Sequence, residues 1–219
     1  MTTTPLAFKK IPTLKELQDG FPGLQALFFD MDGTLFNTEE HHAQALFVMA
    51  HKYQIKPPHS PEMVHELLVG KADHLVFDII KDWEGVPKHW STKDFVDEKT
   101  NNLIEILKQI DPHTFFPPEI LSVLKEAKKE NLYLALVTSS EKVITEILLK
   151  MTGIYDYFNL ILTRDDCPTH KPDPWPYLKA LDVSGIHKSS VLIFEDSHVG
   201  LSAAQASGAH VIKVEWFIP

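Results

Sequence analysis

From Ala26 onward the chain alternates between short apolar runs and longer stretches whose apolar residues recur at helical spacing. The runs are ALFFD (Ala26 to Asp30), YLALVT (Tyr133 to Thr138), LILT (Leu160 to Thr163), VLIFED (Val191 to Asp196) and VIKV (Val211 to Val214). Runs this short and this apolar predict buried strands. Between the first two, Pro118 and Glu119 open a stretch with Ile120, Leu121, Val123, Leu124 and Ala127 on one side and Lys125, Glu126, Lys128 and Lys129 on the other. Further helices are expected after Ser140, Pro174 and Ser197, and Gly153, Gly185 and Gly208 stand where helix C-caps belong. Strand, helix and strand repeated in this way predict an α/β fold with a doubly wound, mostly parallel sheet.

One segment breaks the alternation. Residues 39–110 show helix patterns and no convincing strand. The first pattern puts Ala43, Leu46, Phe47 and Ala50 on one face. The second has Ser60 as N-cap, Pro61 at the first helical position and Gly70 just past the end, and the last opens with the capping-box spacing of Ser91 and Asp94. This reads as an inserted α-helical domain interrupting a core made of residues 25–38 and 111–219. Residues 1–24, with Pro5, Pro12, Pro22 and Gly23, read as an N-terminal extension packed on the surface or partly frayed, with the apolar tail EWFIP expected to pack against it.

Composition narrows the classes. The side chains carry 21 basic against 30 acidic charges, a net −9, which disfavours a binder of nucleic-acid phosphates. A lone cysteine, Cys167, forms no internal disulfide and no cysteine-based zinc site, and no apolar run approaches the roughly 18 residues that span a bilayer. A soluble cytoplasmic chain with no membrane partner is the expectation. Twelve histidines, several of them (His41, His42, His51, His65, His74) in the insert, raise a zinc reading, but their spacing matches no zinc motif.

In an open parallel sheet, ligands sit beyond the carboxyl ends of the strands, so the residues closing each run carry the chemistry. The first run closes on Asp30, followed by Asp32, Gly33 and Thr34; the second leads into Thr138, Ser139 and Ser140; the fourth closes on Glu195 and Asp196. Lys171 lies in the loop after the third. Carboxylates crowded at one edge repel one another, and a hard divalent cation with oxygen ligands together with a lysine relieves this; Mg²⁺ is the expected ion. Such a set suits phosphoryl transfer, with a carboxylate attacking phosphorus and the cation and lysine neutralising the transferred group. Asp32, two residues beyond Asp30, is placed to protonate the leaving oxygen and then to activate water. Gly33 allows the sharp turn there.

The four segments DMDGTLFNTE, VTSS, KPDP and FEDSHVGLSAAQASGA, in this order, resemble the four motifs of the haloacid dehalogenase-like hydrolase superfamily, and the helical insert resembles the cap of its β-phosphoglucomutase-like branch. The resemblance spans about Leu24 to Val214 and implies a Rossmann-like core. It implies that Asp30 is nucleophile and Mg²⁺ ligand, and that Asp32 is general acid/base with a main-chain carbonyl on the metal. Thr138 and Ser139 would hold the phosphoryl group, Lys171 would pair with it and with the nucleophile, and Asp196 would ligate Mg²⁺, with Glu195 doing so directly or through water. The activity implied is a Mg²⁺-dependent phosphatase acting on a small phosphorylated metabolite through an aspartyl-phosphate, with cap closure excluding water and a monomer compatible with a moving cap. The alternatives are a hexose-phosphate mutase and a non-catalytic binding protein. A mutase would be expected to carry an arginine shortly before Gly70, where this chain reads Glu66, Leu67, Leu68 and Val69. In such mutases a histidine at the His42 position approaches the general acid, and Gly70 with Lys71 falls near a substrate-contacting loop. Gly200, Ala203 and Ala204 are expected to permit close helix–sheet packing.

Overall fold

The computed structural model describes residues 5–68 and 73–218, and of His65 the backbone alone. The chain divides into two compact units, one of Met1–Asn37 with Pro112–Pro219 and one of Thr38–Asp111.

In the first unit, strands β1 (Leu6–Phe8), β2 (Ala26–Phe29), β3 (Tyr133–Val137), β4 (Leu160–Leu162), β5 (Val191–Glu195) and β6 (His210–Val214) form one sheet in the order β1-β6-β5-β2-β3-β4. Every pair is parallel. The order reverses on either side of β2, which makes the carboxyl end of that strand the switch point where ligands bind in such sheets. The five expected strands are present, each of the first four ending one residue before the last residue of its run. The sheet is doubly wound. Ala26, Phe28, Ala135, Val137, Val191 and Ile193 share a buried cluster with Tyr177 and Ala180 of α8 (Trp175–Ser184) and Ala203 and Ala204 of α9 (His198–Ser207). The alternate residues Phe29 and Phe194 face the other way, toward Leu17 of α1 (Leu14–Gly20) and Ile120 and Val123 of α6 (Pro118–Lys129). Burying a side chain of this size contributes about 1.5–3 kcal/mol, so two covered faces hold the strands firmly in register. Helix α7 (Lys142–Met151) completes this unit.

The N-terminal extension is more ordered than its proline content suggests. Its Leu6–Phe8 adds an edge strand beside β6, and α1 carries a capping box in which Glu16 N–H donates to Thr13 Oγ1 (3.2 Å) and Thr13 N–H to Glu16 Oε2 (2.7 Å). Such a cap is worth about 1 kcal/mol. As expected, the tail meets the extension: Glu215 N–H donates to Phe8 O at 2.9 Å.

The second unit contains α2 (Glu39–Lys52), α3 (Pro61–Leu68), α4 (Asp73–Ile80) and α5 (Thr92–Leu107) around Met49, Val76, Phe77, Ile80, Val86 and Phe95. The Ser91–Asp94 capping box is formed in both directions. On α2 the inward face is not the one the sequence suggests: Ala45 and Met49 are buried, whereas Phe47 is 74% exposed. The run Ala45–Ala50 is apolar at every position, so it offers no periodic contrast from which to read a face. Lys99 of α5 is buried in an ion pair with Asp73, and its Nζ lies 3.1 Å from His42 Nδ1. Gly70 and Lys71 lie outside the described residues. No helix among the described residues is long and apolar enough to cross a membrane.

Candidate active site

Strand register sets the site. Phe29 of β2 lies opposite Leu136 of β3 and Phe194 of β5, so the next residue of each strand, Asp30, Val137 and Glu195, arrives at one level on neighbouring strands. The Asp30 N–H continues the ladder to Phe194 O at 3.0 Å. Beyond Asp30 the chain turns back: Leu35 and Phe36 N–H both donate to Met31 O (2.8 and 3.0 Å), and Gly33 N–H donates to Phe36 O at 2.8 Å. Gly33 takes φ +77°, and a Cβ there would sit 2.2 Å from Asp196 Oδ2, so glycine is required both for the turn and for the approach of that carboxylate.

Lys171 organises the buried charges. Its Nζ lies 2.6 Å from Asp30 Oδ1 and 2.6 Å from Glu195 Oε1, donates to Val137 O at 2.8 Å, and sits 5.1 Å from the centre of the Tyr177 ring. The Tyr177 hydroxyl donates to the same Glu195 oxygen at 2.5 Å. Asp196 accepts a hydrogen bond at Oδ1 from the Thr34 hydroxyl (3.1 Å). Donor oxygens of Asp30, Glu195 and Asp196 all lie within 4.8 Å of one another, and among the described residues this is the one acidic or histidine-containing cluster of metal-binding geometry. No histidine belongs to it.

Burial raises the pKa of Asp30 despite the neighbouring Lys171. Burial, with the Asp30 charge, pushes Glu195 up to about 8 and Asp196 up to about 7. Burial alone would depress Lys171, but Asp30 and Glu195 outweigh it and hold its pKa above the ordinary lysine value. Three carboxylates thus face a single ammonium, and Glu195 Oε2 is buried without a hydrogen-bond partner. An all-oxygen donor set carrying excess negative charge suits a hard divalent cation. The residues present fit Mg²⁺.

Of the residues singled out from sequence, Asp30, Lys171, Glu195 and Asp196 come together directly. The Asp32 carboxylate is outside the trio and accepts a hydrogen bond at Oδ2 from the Ser140 hydroxyl (2.6 Å). Thr138 is buried just past β3, its Oγ1 accepting from Ser140 N–H at 3.0 Å, and Ser139 beside it is half-buried. Cys167 is buried, and burial together with Asp166 raises its thiol to about 11, as an unreactive loop residue requires. Sequence reasoning missed the contacts of Thr34, Ser140 and Tyr177. Gly200 of α9 permits close packing on the sheet as expected, and the side chain it makes room for is that of Glu195: a Cβ there would come within 1.9 Å of Glu195 Oε2.

The haloacid dehalogenase-like hydrolase family model matches residues 27–214, which takes in both the sheet edge and the helical insert. The chain belongs to this family. Among the proteins of this hydrolase family, phosphoglycolate phosphatase of Neisseria gonorrhoeae is 32% identical over 87% of this chain and 80% of its own length. The crystal structure of CbbY from Rhodobacter sphaeroides in complex with phosphate superposes with a TM-score of 0.76 at 25% identity, over 87% of this chain and 85% of that one. A β-phosphoglucomutase from Clostridium difficile shares the fold, with a TM-score of 0.70 at 24% identity over 87% and 84% of the two chains.

Proposed function

We propose that this hydrolase is a Mg²⁺-dependent phosphatase that removes phosphate from a small phosphorylated metabolite through an aspartyl-phosphate on Asp30. The observation that carries this reading is the buried cluster in which Lys171 bridges Asp30 and Glu195 with Asp196 within metal-binding distance. The cation would be held by Asp30, Asp196, Glu195 and the main-chain carbonyl of Asp32, and it supplies neutralisation of charge on the phosphoryl oxygens. Residues 25–38 and 111–219 carry the chemistry, and the helical segment 39–110 serves substrate selection.

In the first step a carboxylate oxygen of Asp30 forms a bond to phosphorus as the bond from phosphorus to the ester oxygen breaks. Asp32 gives its proton to that leaving oxygen. In the second step Asp32 takes a proton from water, the water oxygen bonds to phosphorus, and the acyl phosphate bond opens to return Asp30 and inorganic phosphate. Ser140 holds Asp32 in one orientation through both steps, and Lys171 holds Asp30 in place while balancing its charge. Thr138 and Ser139 bind the phosphoryl oxygens. Such positioned electrostatics form the largest contribution in reactions of this kind.

The test is phosphate release from a panel of phosphoglycolate, sugar monophosphates and nucleoside monophosphates, with Mg²⁺ and with EDTA, for the wild type and Asp30→Asn. The expected result is metal-dependent release lost in the variant. Phosphate moved to another position of a sugar rather than released, or release that survives Asp30→Asn, would overturn the proposal.

A further inference from the structure

A residue near the C-terminus reaches the turn that follows Asp30. Trp216 follows β6, and its indole Nε1–H donates to the main-chain carbonyl of Thr34 at 3.0 Å. Thr34 is fully buried and is the residue whose hydroxyl donates to Asp196 Oδ1 at 3.1 Å. Its neighbour Gly33 has no room for a side chain against Asp196 Oδ2. The turn after Asp30 therefore meets Asp196 at two successive residues, and the indole N–H bonds the main chain of the second.

Trp216 is itself held. Its ring centre lies 6.1 Å from that of Phe194, the residue before Glu195, and Phe194 stacks on Phe29, the residue before Asp30, at 4.7 Å. Ile11 and Pro12 of the N-terminal extension and Leu17 of α1 close around the same rings, leaving a cavity of only about 10 Å³. The backbone of the preceding residue, Glu215, is bonded to β1. The extension and the tail thus form a brace beneath the strand ends that carry two of the carboxylates.

We propose that Trp216 is a positioning residue for the carboxylate cluster: its indole N–H fixes the Thr34 carbonyl so that the Thr34 hydroxyl holds Asp196 ready for a divalent cation. This rests on the reading of the cluster as a cation site. A hydrogen bond of this kind translates into about a 3- to 10-fold change in affinity.

The experiment is calorimetric titration of the full chain with Mn²⁺ for the wild type, Trp216→Phe, Thr34→Val and the double variant. Phenylalanine keeps a ring against Phe194 and loses only the N–H donor. The expected result is Mn²⁺ binding weakened about 3- to 10-fold in each single variant, with the double variant no weaker than Thr34→Val, because both act through one path. In wild-type chain labelled with ¹⁵N-tryptophan, the Trp216 Nε1–H resonance is expected to move on addition of Mg²⁺, a readout that needs no substitution. Unchanged Mn²⁺ affinity in Trp216→Phe, additive losses in the double variant, or an unmoved resonance overturns the inference while leaving the cation site intact. A wild-type chain that binds no Mn²⁺ overturns the reading of the cluster itself.

Discussion

Each unit of this chain buries a lysine against carboxylate, and the two lysines have opposite surroundings. Lys99 in the helical unit meets one carboxylate, Asp73, and a histidine nitrogen of His42. Lys171 in the α/β unit meets two carboxylates at 2.6 Å and has a third, Asp196, in the same cluster. The first is a balanced pair, which fixes the geometry of three helices. The second is overcharged, and the pKa values of its carboxylates are raised by burial first and by their mutual repulsion second. A buried ion pair by itself says little about function; an unbalanced one points to a missing counter-charge.

The comparison breaks most sharply if both lysines are replaced by methionine, one at a time. Each change removes one partner of a buried pair and costs about 3–5 kcal/mol, measurable by denaturant unfolding. Under the proposed mechanism Lys171→Met should also lower phosphatase turnover by roughly 10²- to 10³-fold, as loss of one charge-stabilising donor does. Replacing both partners, Lys99→Met with Asp73→Leu, should return stability to within about 1 kcal/mol of wild type, because removing a whole buried pair is close to neutral. Lys171→Met with Asp30→Leu should not recover, since Glu195 stays buried without its ammonium. Equal recovery at both sites would erase the distinction.

A smaller effect concerns pH. Glu195 and Asp196 sit at about 8 and about 7 in the fold, against ordinary values of 4.5 and 3.8. The fold therefore binds more protons than the unfolded chain across that interval, and their contribution is complete below the ordinary values and lost as the pH rises through 7 to 8. In EDTA the melting temperature should fall between about pH 5 and pH 8, by roughly 2–4 °C for each kcal/mol lost. Under the proposed cation binding to the ionised carboxylates, Mg²⁺ should remove most of that slope. A melting temperature that rises with pH in EDTA would contradict the assignment.

The smallest expected effect is at Tyr177. Tyr177→Phe removes one hydrogen bond to Glu195 and leaves Lys171 in place, so turnover should fall only about 3- to 10-fold, read from steady-state rates at saturating Mg²⁺. A loss as large as that of Lys171→Met would show that the hydroxyl, and not the ammonium, holds the cluster.

The frame of this molecule is legible in its sequence because buried parallel strands leave continuous apolar runs, and the polar residues closing those runs mark the sheet edge. Asp30, Glu195 and Asp196 were readable for that reason, and Lys171 as the cation in the loop that follows the third run. The misses share a different cause, since each depends on contacts between distant segments. Leu6–Phe8 is too short to declare itself a strand and becomes one only beside β6. Nothing in the sequence around Tyr177 marks its hydroxyl as a partner of Glu195 until the sheet sets the two against each other. Trp216 reads as part of an apolar tail because the carbonyl it grips is near the other end of the chain.

In the proposed mechanism Asp30 carries the phosphoryl group. The most direct measurement is mass spectrometry of chain quenched in acid during turnover of p-nitrophenyl phosphate with Mg²⁺, using Asp32→Asn to slow hydrolysis of the intermediate. The account predicts one added phosphoryl group on the peptide containing Asp30, richer in Asp32→Asn than in wild type and missing from Asp30→Asn. Phosphorylation at another residue, or sustained turnover with no phosphorylated chain in either the wild type or Asp32→Asn, would contradict it.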